Sequence, residues 1–533
     1  RQRQMCIRDR EITIAPIYEN TDSETTFNWT IDGKSICTTS TLTFSADEAG
    51  RYFILISATN AGGTTEKEIR IDVFQLDVPT ISIADADKGF KVLQGSELTI
   101  TPIVDSFLET SYSWQINGED ISNELTCTLP TIELGEYQVR FATHNEDGDD
   151  EVTFKVEVCS PDQVDFNWTF LQTEYNMSAG RTIRIKPVDV NNALDAVYTW
   201  TVDNEQVQSG ENDTYLFTSE QQGEHTVKVE MKNSYILATQ TLKVNVCPPA
   251  GTYQRKISAT SSASMNKVYE YLPAPGQFIN ENHNTTTMAE ACTYAEERIN
   301  QTAYVSLGGF GGYIIVGFDH SIVNDGDYNI AITGNAFDGS SEPGIVWVMQ
   351  DENGDGLPND TWYELRGSEY GKAETWQDYA VTYHKPTGIQ LPTPWTDNHG
   401  QSGSIDYLGA FHRQDYYYPA WVKEKQYTLR GTRLKERNYD QSGNGTYWVN
   451  DSYEWGYADN FSAIDRLTDD DNYNAGPSDN HFKISHAVTF DGKDANLKYV
   501  DFIKVQVGVN SKSGWLGEIS TEVFGIKDFN MLK

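Results

Sequence analysis

Hydrophobic and polar residues alternate around a tryptophan at three places in the first half of the chain. Trp29, Trp114 and Trp200 each follow an aromatic residue by two positions and precede Ile or Val by two positions. Alternation with a period of two places these side chains on one face of a β-strand. Each strand then runs into Asp-Gly, Asn-Gly or Asp-Asn, and these residues accept the positive φ angles of a tight hairpin turn. The pattern predicts three hairpins, each with its Trp buried between two sheets.

Further positions recur in the same register. The tryptophans lie 85 and 86 residues apart, and a Gly follows them by 21, 21 and 23 residues. An Asn lies 10 residues after each Gly, and a Val lies 13 residues after each Asn. These residues are Gly50, Gly135 and Gly223, then Asn60, Asn145 and Asn233, then Val73, Val158 and Val246. A constant register indicates duplication, and short alternating strands in units of this length predict immunoglobulin-like β-sandwiches. We therefore predict three homologous sandwiches over residues 11–73, 80–158 and 164–246.

Residues 1–10 do not continue this pattern. They contain the run Met-Cys-Ile-Arg-Asp, which resembles the translation of a transposon adapter used in short-read sequencing. We interpret the segment as a non-biological scar and exclude it from the fold. The counterpart of residues 80–96 is then missing, so we expect the first sandwich to lack an edge strand. On this interpretation an export signal and a lipid anchor belonged to a lost N-terminus.

The second half of the chain has a different organisation. Residues 247–266 contain Cys-Pro-Pro-Ala-Gly and a small, polar run, which predict a linker. Residues 267–533 show no period of about 85 residues and read as strands and long polar loops, so they predict a separate, larger β domain. One short helix is expected at 287–299, where Thr-Met-Ala-Glu forms a capping-box pattern.

Two resemblances to known families refine this picture. The repeats over residues 11–247 resemble the PKD-like and immunoglobulin-like modules of bacterial surface proteins, which usually act as spacers. The runs that carry the second resemblance are Val-Tyr-Glu-Tyr-Leu-Pro-Ala-Pro-Gly-Gln-Phe from Val268, Ser-Leu-Gly-Gly-Phe-Gly-Gly-Tyr from Ser306, Gly-Asn-Ala-Phe from Gly334 and Ser-Glu-Pro-Gly-Ile-Val from Ser341. They are similar to the C-terminal region of PKD-domain cell-surface proteins of Bacteroidota, over most of residues 267–528.

That second resemblance implies display at the outer membrane and a jelly-roll, galactose-binding-like sandwich. Some relatives accompany outer-membrane nutrient importers, including cobalamin importers, so an importer is a possible partner. The expected fold is all-β, with three tandem immunoglobulin-like (PKD-like) β-sandwiches followed by a larger jelly-roll-type β-sandwich.

Charge and composition exclude several function classes. The formal net charge of −38 repels phosphate backbones, so we expect no nucleic-acid partner. No run of 18 apolar residues is present, so no transmembrane segment is expected. The scattered cysteines form no Cys-x-x-Cys pair, which excludes the common zinc and redox motifs.

The segment 351–360 has the spacing of a calcium loop. Oxygen-bearing side chains stand at its positions 1, 3 and 5, and Gly356 at position 6 permits the sharp turn. The expected ligands are the side chains of Asp351, Asn353, Asp355 and Asp360 and the backbone carbonyl of Leu357. Position 12 is Trp362 rather than Glu, so the segment is no EF-hand and is more similar to the loops of dockerins and thrombospondin-type repeats. The alternative is an acidic, solvated turn.

Aromatic residues crowd the segment 395–457. Aromatic faces beside Asp, Asn and Arg suit stacking on sugar rings or another flat ligand, and the alternative is a large core filled by bulky side chains. Three consecutive tyrosines at 416–418 cannot all point inward from one strand, which favours a ligand platform. The candidate ligand-binding residues are Trp395, Tyr416, Tyr417, Trp421 and Trp455.

We find no motif of a common enzyme chemistry, and nine His are scattered without ligand spacing. We therefore expect no catalytic activity. The favoured function is capture of an extracellular glycan at the cell surface, with the repeats as a stalk and calcium as a structural cofactor. The alternatives are a surface component of a nutrient uptake system, for example for cobalamin, adhesion to a protein partner, or glycoside hydrolysis by two carboxylates among the 78 acidic residues.

Overall fold

A computed structural model of the chain describes residues 2–7, 11–46, 50–74, 78–83, 86–106, 108–160, 163, 168–190, 193, 195–233, 236–281, 283–467 and 477–533. The described residues fall into two compact units. The first comprises Arg1–Gly89, Val104–Cys127 and Tyr137–Lys155, and the second comprises Phe90–Ile103, Thr128–Glu136 and Val156–Lys533. The third repeat and the whole C-terminal domain therefore belong to the second unit.

The first repeat is a two-sheet sandwich. Its strands are β1 (Gln2–Ile7), β2 (Ile12–Ile14), β3 (Thr26–Ile31), β4 (Lys34–Cys37), β5 (Leu42–Phe44), β6 (Gly50–Asn60) and β7 (Gly63–Phe74). One sheet has the order β1-β7-β6-β3-β4, and the other pairs β2 with β5. The inward side chains of both sheets form one core around Trp29.

The second repeat supplies the next nine strands. These are β8 (Thr80–Ser82), β9 (Phe90–Leu93), β10 (Leu98–Ile100), β11 (Ile103–Asp105), β12 (Ser111–Ile116), β13 (Glu119–Ser122), β14 (Cys127–Leu129), β15 (Gly135–Asn145) and β16 (Gly148–Cys159). In the first unit β12 pairs with β13 and with β15 in antiparallel register. In the second unit β9 pairs in parallel with the end of β16.

The third repeat lies wholly in the second unit. Its strands are β17 (Trp168–Thr169), β18 (Glu174–Ser178), β19 (Thr182–Ile185), β20 (Asp189–Val190), β21 (Val197–Val202), β22 (Glu205–Gly210), β23 (Tyr215–Thr218), β24 (Gly223–Lys232) and β25 (Leu237–Cys247). The main sheet has the order β18-β25-β24-β21-β22, and β19 pairs with β23 in the facing sheet.

The three predicted hairpins occupy the same place in their repeats. Trp29, Trp114 and Trp200 are fully buried, and each precedes a register shift in the hairpin that follows. The turn residues have positive φ in each case, for example 49° at Asp32 and 76° at Gly33. The prediction of tandem immunoglobulin-like sandwiches with Trp at a common topological position is therefore confirmed.

The expectation that the first repeat lacks an edge strand is wrong. β1 pairs in parallel with β7, as β9 pairs with β16 and β18 pairs with β25. Residues 2–7 pair with backbone groups along the outer edge of β7. Such pairing does not depend on side-chain identity, because the ladder hydrogen bonds join backbone groups. The interpretation of residues 1–10 as a scar stays a prediction.

The C-terminal domain is a larger all-β arrangement. Its strands are β26 (Lys267–Leu272), β27 (Val305–Ser306), β28 (Tyr313–Val323), β29 (Ile330–Gly334), β30 (Gly344–Met349), β31 (Trp362–Leu365), β32 (Trp376–His384), β33 (Thr393–Asp397), β34 (Ser402–Ile405), β35 (Gln426–Arg433), β36 (Asn438–Asp440), β37 (Trp448–Asn450), β38 (Ser478–Phe482), β39 (Ala487–Val488), β40 (Tyr499–Val507), β41 (Glu522–Val523) and β42 (Gly525–Asp528). Short 3-10 helices span Ile484–His486, Gly514–Leu516 and Phe529–Met531.

The central sheet of this domain has six strands in the order β26-β28-β40-β30-β31-β39. A three-stranded sheet has the order β38-β29-β42, a four-stranded sheet has the order β34-β33-β32-β35, and two pairs join β27 to β41 and β36 to β37. Nearly every side chain of β28, β30 and β40 is buried, so the central sheet is covered on both faces. Side chains of the three-stranded and four-stranded sheets share its core.

The predicted helix is present as α1 (Met288–Asn300). Thr287 is the N-cap and its side chain accepts a hydrogen bond from the Glu290 N–H, as the capping-box pattern requires. Ala291, Ala295 and Ile299 form its buried face.

The segment 247–266, interpreted as a linker, is held along part of its length by the C-terminal domain. Arg255 donates to the Phe318 carbonyl at 2.7 Å and pairs with the buried Asp501 at 3.0 Å. Met265 is buried in the core of the domain. The small, polar composition of the segment gave no indication of these contacts of Arg255 and Met265.

Candidate binding cleft between the third repeat and the C-terminal domain

A cleft of about 530 Å³ lies within the second unit, between the third repeat and the C-terminal domain. On the repeat side it is lined by β19 and by residues 186–188. On the other side it is lined by parts of β30, β31, β32 and β35 and by residues 358–361 and 488–490. Its volume falls in the range of small-molecule sites.

Aromatic rings and one lysine line the cleft. Lys504 Nζ lies 4.7 Å from the ring centre of Trp347 and 5.3 Å from that of Trp362, which is cation–π geometry. Burial lowers the pKa of Lys504 to about 8, although Glu270 and Glu364 favour its charged form. Phe490 lines the same cleft and is 38% exposed, so its ring is accessible to a ligand.

An acidic side chain stands beside this lysine. Glu364 is buried, and burial raises its pKa to about 7, while Thr432, Lys504 and Gln377 favour the carboxylate. Thr432 Oγ1 donates to Glu364 Oε2 at 2.5 Å. The cleft therefore contains an acid and a base whose pKa values approach neutrality from opposite sides, which suits either charge-assisted binding or proton transfer.

The rim of the cleft is an ion-pair bridge between the two domains. Asp378 accepts from Arg184 Nη2 at 2.9 Å and from Lys186 Nζ at 2.7 Å. Asp378 has a φ of 55° and lies at a bulge in β32. The bulge places Asp378 among the residues that line the cleft. Burial alone would raise its pKa, but Lys186 and Arg184 outweigh it and hold the pKa of Asp378 below its ordinary value.

The predicted calcium loop folds around its own amides. Asp351 accepts from the Gly354 N–H at 2.7 Å and the Gly356 N–H at 3.0 Å, while Asp355 accepts from the Leu357 N–H and the Asn353 amide. Gly356 has φ of 74°, as the predicted sharp turn requires. Within this fully described loop, the acidic side chains do not supply three oxygens within 4.8 Å of one another. Calcium binding here stays a prediction.

Asp360 faces inward and is separated from that turn. Its Oδ2 accepts from the Glu352 N–H at 3.0 Å, and its Oδ1 is buried without a hydrogen-bond partner. Burial raises the pKa of Asp360 to about 8, and Glu352 and Asp351 contribute to the increase.

The same loop joins the third repeat to the C-terminal domain. Arg181 Nε faces Glu352 Oε1 at 3.0 Å, and its guanidinium also donates to Gln350 at 2.8 Å and to the Tyr363 hydroxyl at 3.0 Å. The Ser178 N–H donates to Glu352 Oε2 at 3.1 Å. The loop therefore has a structural role at this junction whether or not it binds a metal.

The structure does not assemble the predicted aromatic platform. Tyr417 and Trp421 are 1% and 6% exposed and lie in the core, so their expected ligand-stacking role is wrong. Loop geometry explains the tyrosine run, because irregular backbone turns Tyr417 and Tyr418 inward together and leaves Tyr416 half-buried. Trp395 also packs partly against this core.

Trp455 is the predicted platform residue that lines a cavity. Its ring centre lies 5.1 Å from that of His486, in a second, smaller cleft of about 270 Å³. None of the five predicted residues lines the larger cleft at the domain junction.

Sequence reasoning missed that larger cleft, although the repeat register contained a signal for it. Aligning the second and third repeats at Gly95 and Gly180 places Arg181, Arg184 and Lys186 where the second repeat has Ser96, Thr99 and Thr101. Three basic replacements on one short segment of a strongly acidic chain mark a surface that differs from its sister modules.

Comparison with known proteins adds family evidence for the first half. The family model described as "PKD-like domain" matches residues 5–60, 78–145 and 150–233. The N-terminal part of this chain is built of PKD-like repeats. No curated protein matches the chain.

Solved structures of tandem sandwich modules are similar to part of the chain. An I-band fragment of titin is 14% identical, covers 46% of this chain and 95% of that fragment, and has a TM-score of 0.22. The match to the three N-terminal domains of the bacteriophage RB49 outer capsid protein Hoc is 15% identical, covers 45% of this chain and 95% of that chain, and has a TM-score of 0.22. The match to the fibronectin(III)-like modules of Clostridium thermocellum CbhA is 15% identical, covers 34% of this chain and 100% of that chain, and has a TM-score of 0.18.

PKD-like and immunoglobulin-like repeats are typically non-catalytic modules of surface or extracellular proteins. Among the described residues, no helix is both long enough and apolar enough to cross a membrane.

Proposed function

We propose that this protein is a non-catalytic cell-surface binding protein that captures an extracellular ligand in the cleft at the domain junction. The favoured ligand is a glycan. The observation that carries the proposal is the composition of the cleft, which is lined by Trp347, Trp362 and Phe490 and also by Asp378 and its two basic partners. Sugar rings stack on aromatic faces, and their hydroxyls hydrogen-bond to fixed charged groups.

The proposed stalk does not include all three repeats. The third repeat supplies β19 and Arg184 to the cleft, so it belongs to the binding part. The first two repeats remain as the proposed spacer. Display at the outer membrane through a lipid anchor is part of the proposal, and it rests on the resemblance to surface proteins.

The experiment is a glycan-array screen of the full chain, with a cobalamin titration alongside. Trp362→Ala and Phe490→Ala should each weaken binding of any captured ligand at least about tenfold, because each removes an aromatic ring that lines the cleft. Trp515→Ala is the matched control, since Trp515 is 49% exposed and lies outside the residues that line the cleft.

The outcomes separate the alternatives. Binding that survives both cleft variants would place the site elsewhere and overturn the proposal. Saturation by cobalamin alone would replace the glycan with an importer substrate. Binding of a protein partner alone would favour adhesion, and turnover of a polysaccharide would make the protein a hydrolase, for which Asp360 and Glu364 in the cleft would be the first residues to test.

A further inference from the structure

Three acidic side chains from distant parts of the sequence meet inside the C-terminal domain. Glu342 lies just before β30, Asp459 lies in the segment between β37 and β38, and Glu522 is the first residue of β41. One carboxylate oxygen from each lies within 4.8 Å of the other two. We call these three residues the acidic triad. It is separate from the loop 351–360 and from the lining of the cleft.

Backbone amides fix the orientation of the triad. Asp459 Oδ1 accepts from the Asn335 N–H at 2.7 Å and the Ala336 N–H at 2.8 Å, and Oδ2 accepts from the Glu522 N–H at 2.9 Å. A Cβ atom at Gly334 would lie in steric overlap with Asp459 Oδ1, so only glycine leaves room for the carboxylate. The site is therefore preformed by tight backbone packing.

Among the residues that the structure describes, no cationic side chain neutralises the three carboxyl groups of the triad. Asp459 is 1% and Glu522 is 4% exposed, yet within the described part of the chain none of the three carboxylates forms an ion pair. Glu522 Oε1 is buried without a hydrogen-bond partner, and the neighbouring buried Glu518 has an unpartnered Oε2. Buried carboxylates without cationic partners must take up either protons or a metal ion.

Burial raises the pKa of Glu342 to about 7, although a hydrogen bond with Glu522 favours its carboxylate. Burial, repulsion from Glu342 and Asp459 and the same hydrogen bond raise the pKa of Glu522 well above its ordinary value. Burial and repulsion from Glu342 likewise raise the pKa of Asp459.

We propose that Glu342, Asp459 and Glu522 form a binding site for a hard divalent cation of the calcium and magnesium class. The donors are all oxygens, which such cations prefer over nitrogen or sulfur ligands. The ion would link the segment before β30, the loop at 459 and β41, so its role is structural. A catalytic role for the triad is disfavoured, because none of its three residues lines either of the two clefts described above.

The test uses the full chain, stripped of metal with a chelator and titrated separately with Ca²⁺, Mg²⁺ and Mn²⁺ by equilibrium dialysis. Glu522→Gln keeps the shape of the side chain and removes one charged ligand. It should weaken binding of one ion equivalent at least about tenfold, because even changes beyond the direct ligands cost that much. Asp355→Asn in the loop 351–360 is the matched control and should leave this equivalent unchanged.

A second measurement needs no variant. Anomalous scattering from crystals of the wild-type chain soaked in Mn²⁺ should give a peak between the three carboxylates. No peak there, or identical binding stoichiometry and affinity in wild type and Glu522→Gln, would overturn the proposal. Binding lost in Asp355→Asn but retained in Glu522→Gln would assign the ion to the loop and would likewise reject the triad. If Glu522→Gln fails to fold, Glu342→Gln takes its place.

Discussion

The first and third repeats have the same frame but different surfaces. Both bury one tryptophan, at Trp29 and Trp200, against a five-stranded sheet, and both carry a parallel edge strand. The short strand of the facing sheet is β2 in one repeat and β19 in the other. The outward residues in and directly after this strand are Thr13 and Ala15 in the first repeat and Arg184 and Lys186 in the third.

The difference between these repeats follows from strand geometry. In both strands alternate residues face the core, Ile12 and Ile14 in one and Ile183 and Ile185 in the other. The residues between them face outward and can change without disturbing the core. The sandwich is therefore the same in both copies, while Arg184 and Lys186 give the third repeat an ion-pair contact with Asp378 of the C-terminal domain.

The largest expected effect comes from the shared frame. Trp29→Ala and Trp200→Ala should each cost about 3–5 kcal/mol, because each leaves a large cavity in a small core. Scanning calorimetry of the full chain should show that Trp29→Ala lowers the unfolding transition of the first unit and Trp200→Ala that of the second. Phe53→Ala is the control, since Phe53 is 43% exposed. Equal shifts of a single transition by both variants would argue that the two units do not unfold separately.

The second-largest loss of stability should occur in the third repeat and not at the equivalent position of the second repeat. Arg181→Ala leaves Glu352, which is 3% exposed, without its charged partner, and such losses cost about 3–5 kcal/mol. The thermal transition of the second unit should fall, and the double variant with Glu352→Ala should recover part of the loss. Ser96→Ala, at the equivalent position of the second repeat, is the matched control and should cost no more than one neutral hydrogen bond, about 1 kcal/mol. A cost of about 1 kcal/mol in Arg181→Ala as well would mean that the Arg181–Glu352 pair adds little to stability.

The smallest effect should come from the rim of the cleft. Arg184→Ala should change stability by less than about 1 kcal/mol, because the side chain of its partner Asp378 is 46% exposed and solvent screens the pair. Thr13→Ala in the first repeat is the matched control and should have no measurable effect. Denaturant unfolding followed by tryptophan fluorescence can resolve the difference. A loss of several kcal/mol in Arg184→Ala would contradict a solvent-screened rim and show that this pair supports the junction.

By itself the sequence determined the repeat architecture. The period-two alternation around each tryptophan and the turn residues after it are local signals, and a one-residue shift would move every core side chain to solvent. The same is true of α1, whose N-cap is specified within four residues. The spacing of the loop 351–360 likewise predicted its tight turn.

Only the tertiary structure decided where chemistry can occur. The cleft joins β19 to β31 and to a bulge in β32, and the acidic triad joins residues 117 and 63 positions apart in the sequence. Neither set has a local pattern, because its members converge through packing between sheets rather than through spacing along one strand. The burial of Tyr417 and Trp421 was hidden for the same reason, since an irregular loop has no period from which an inward face can be read.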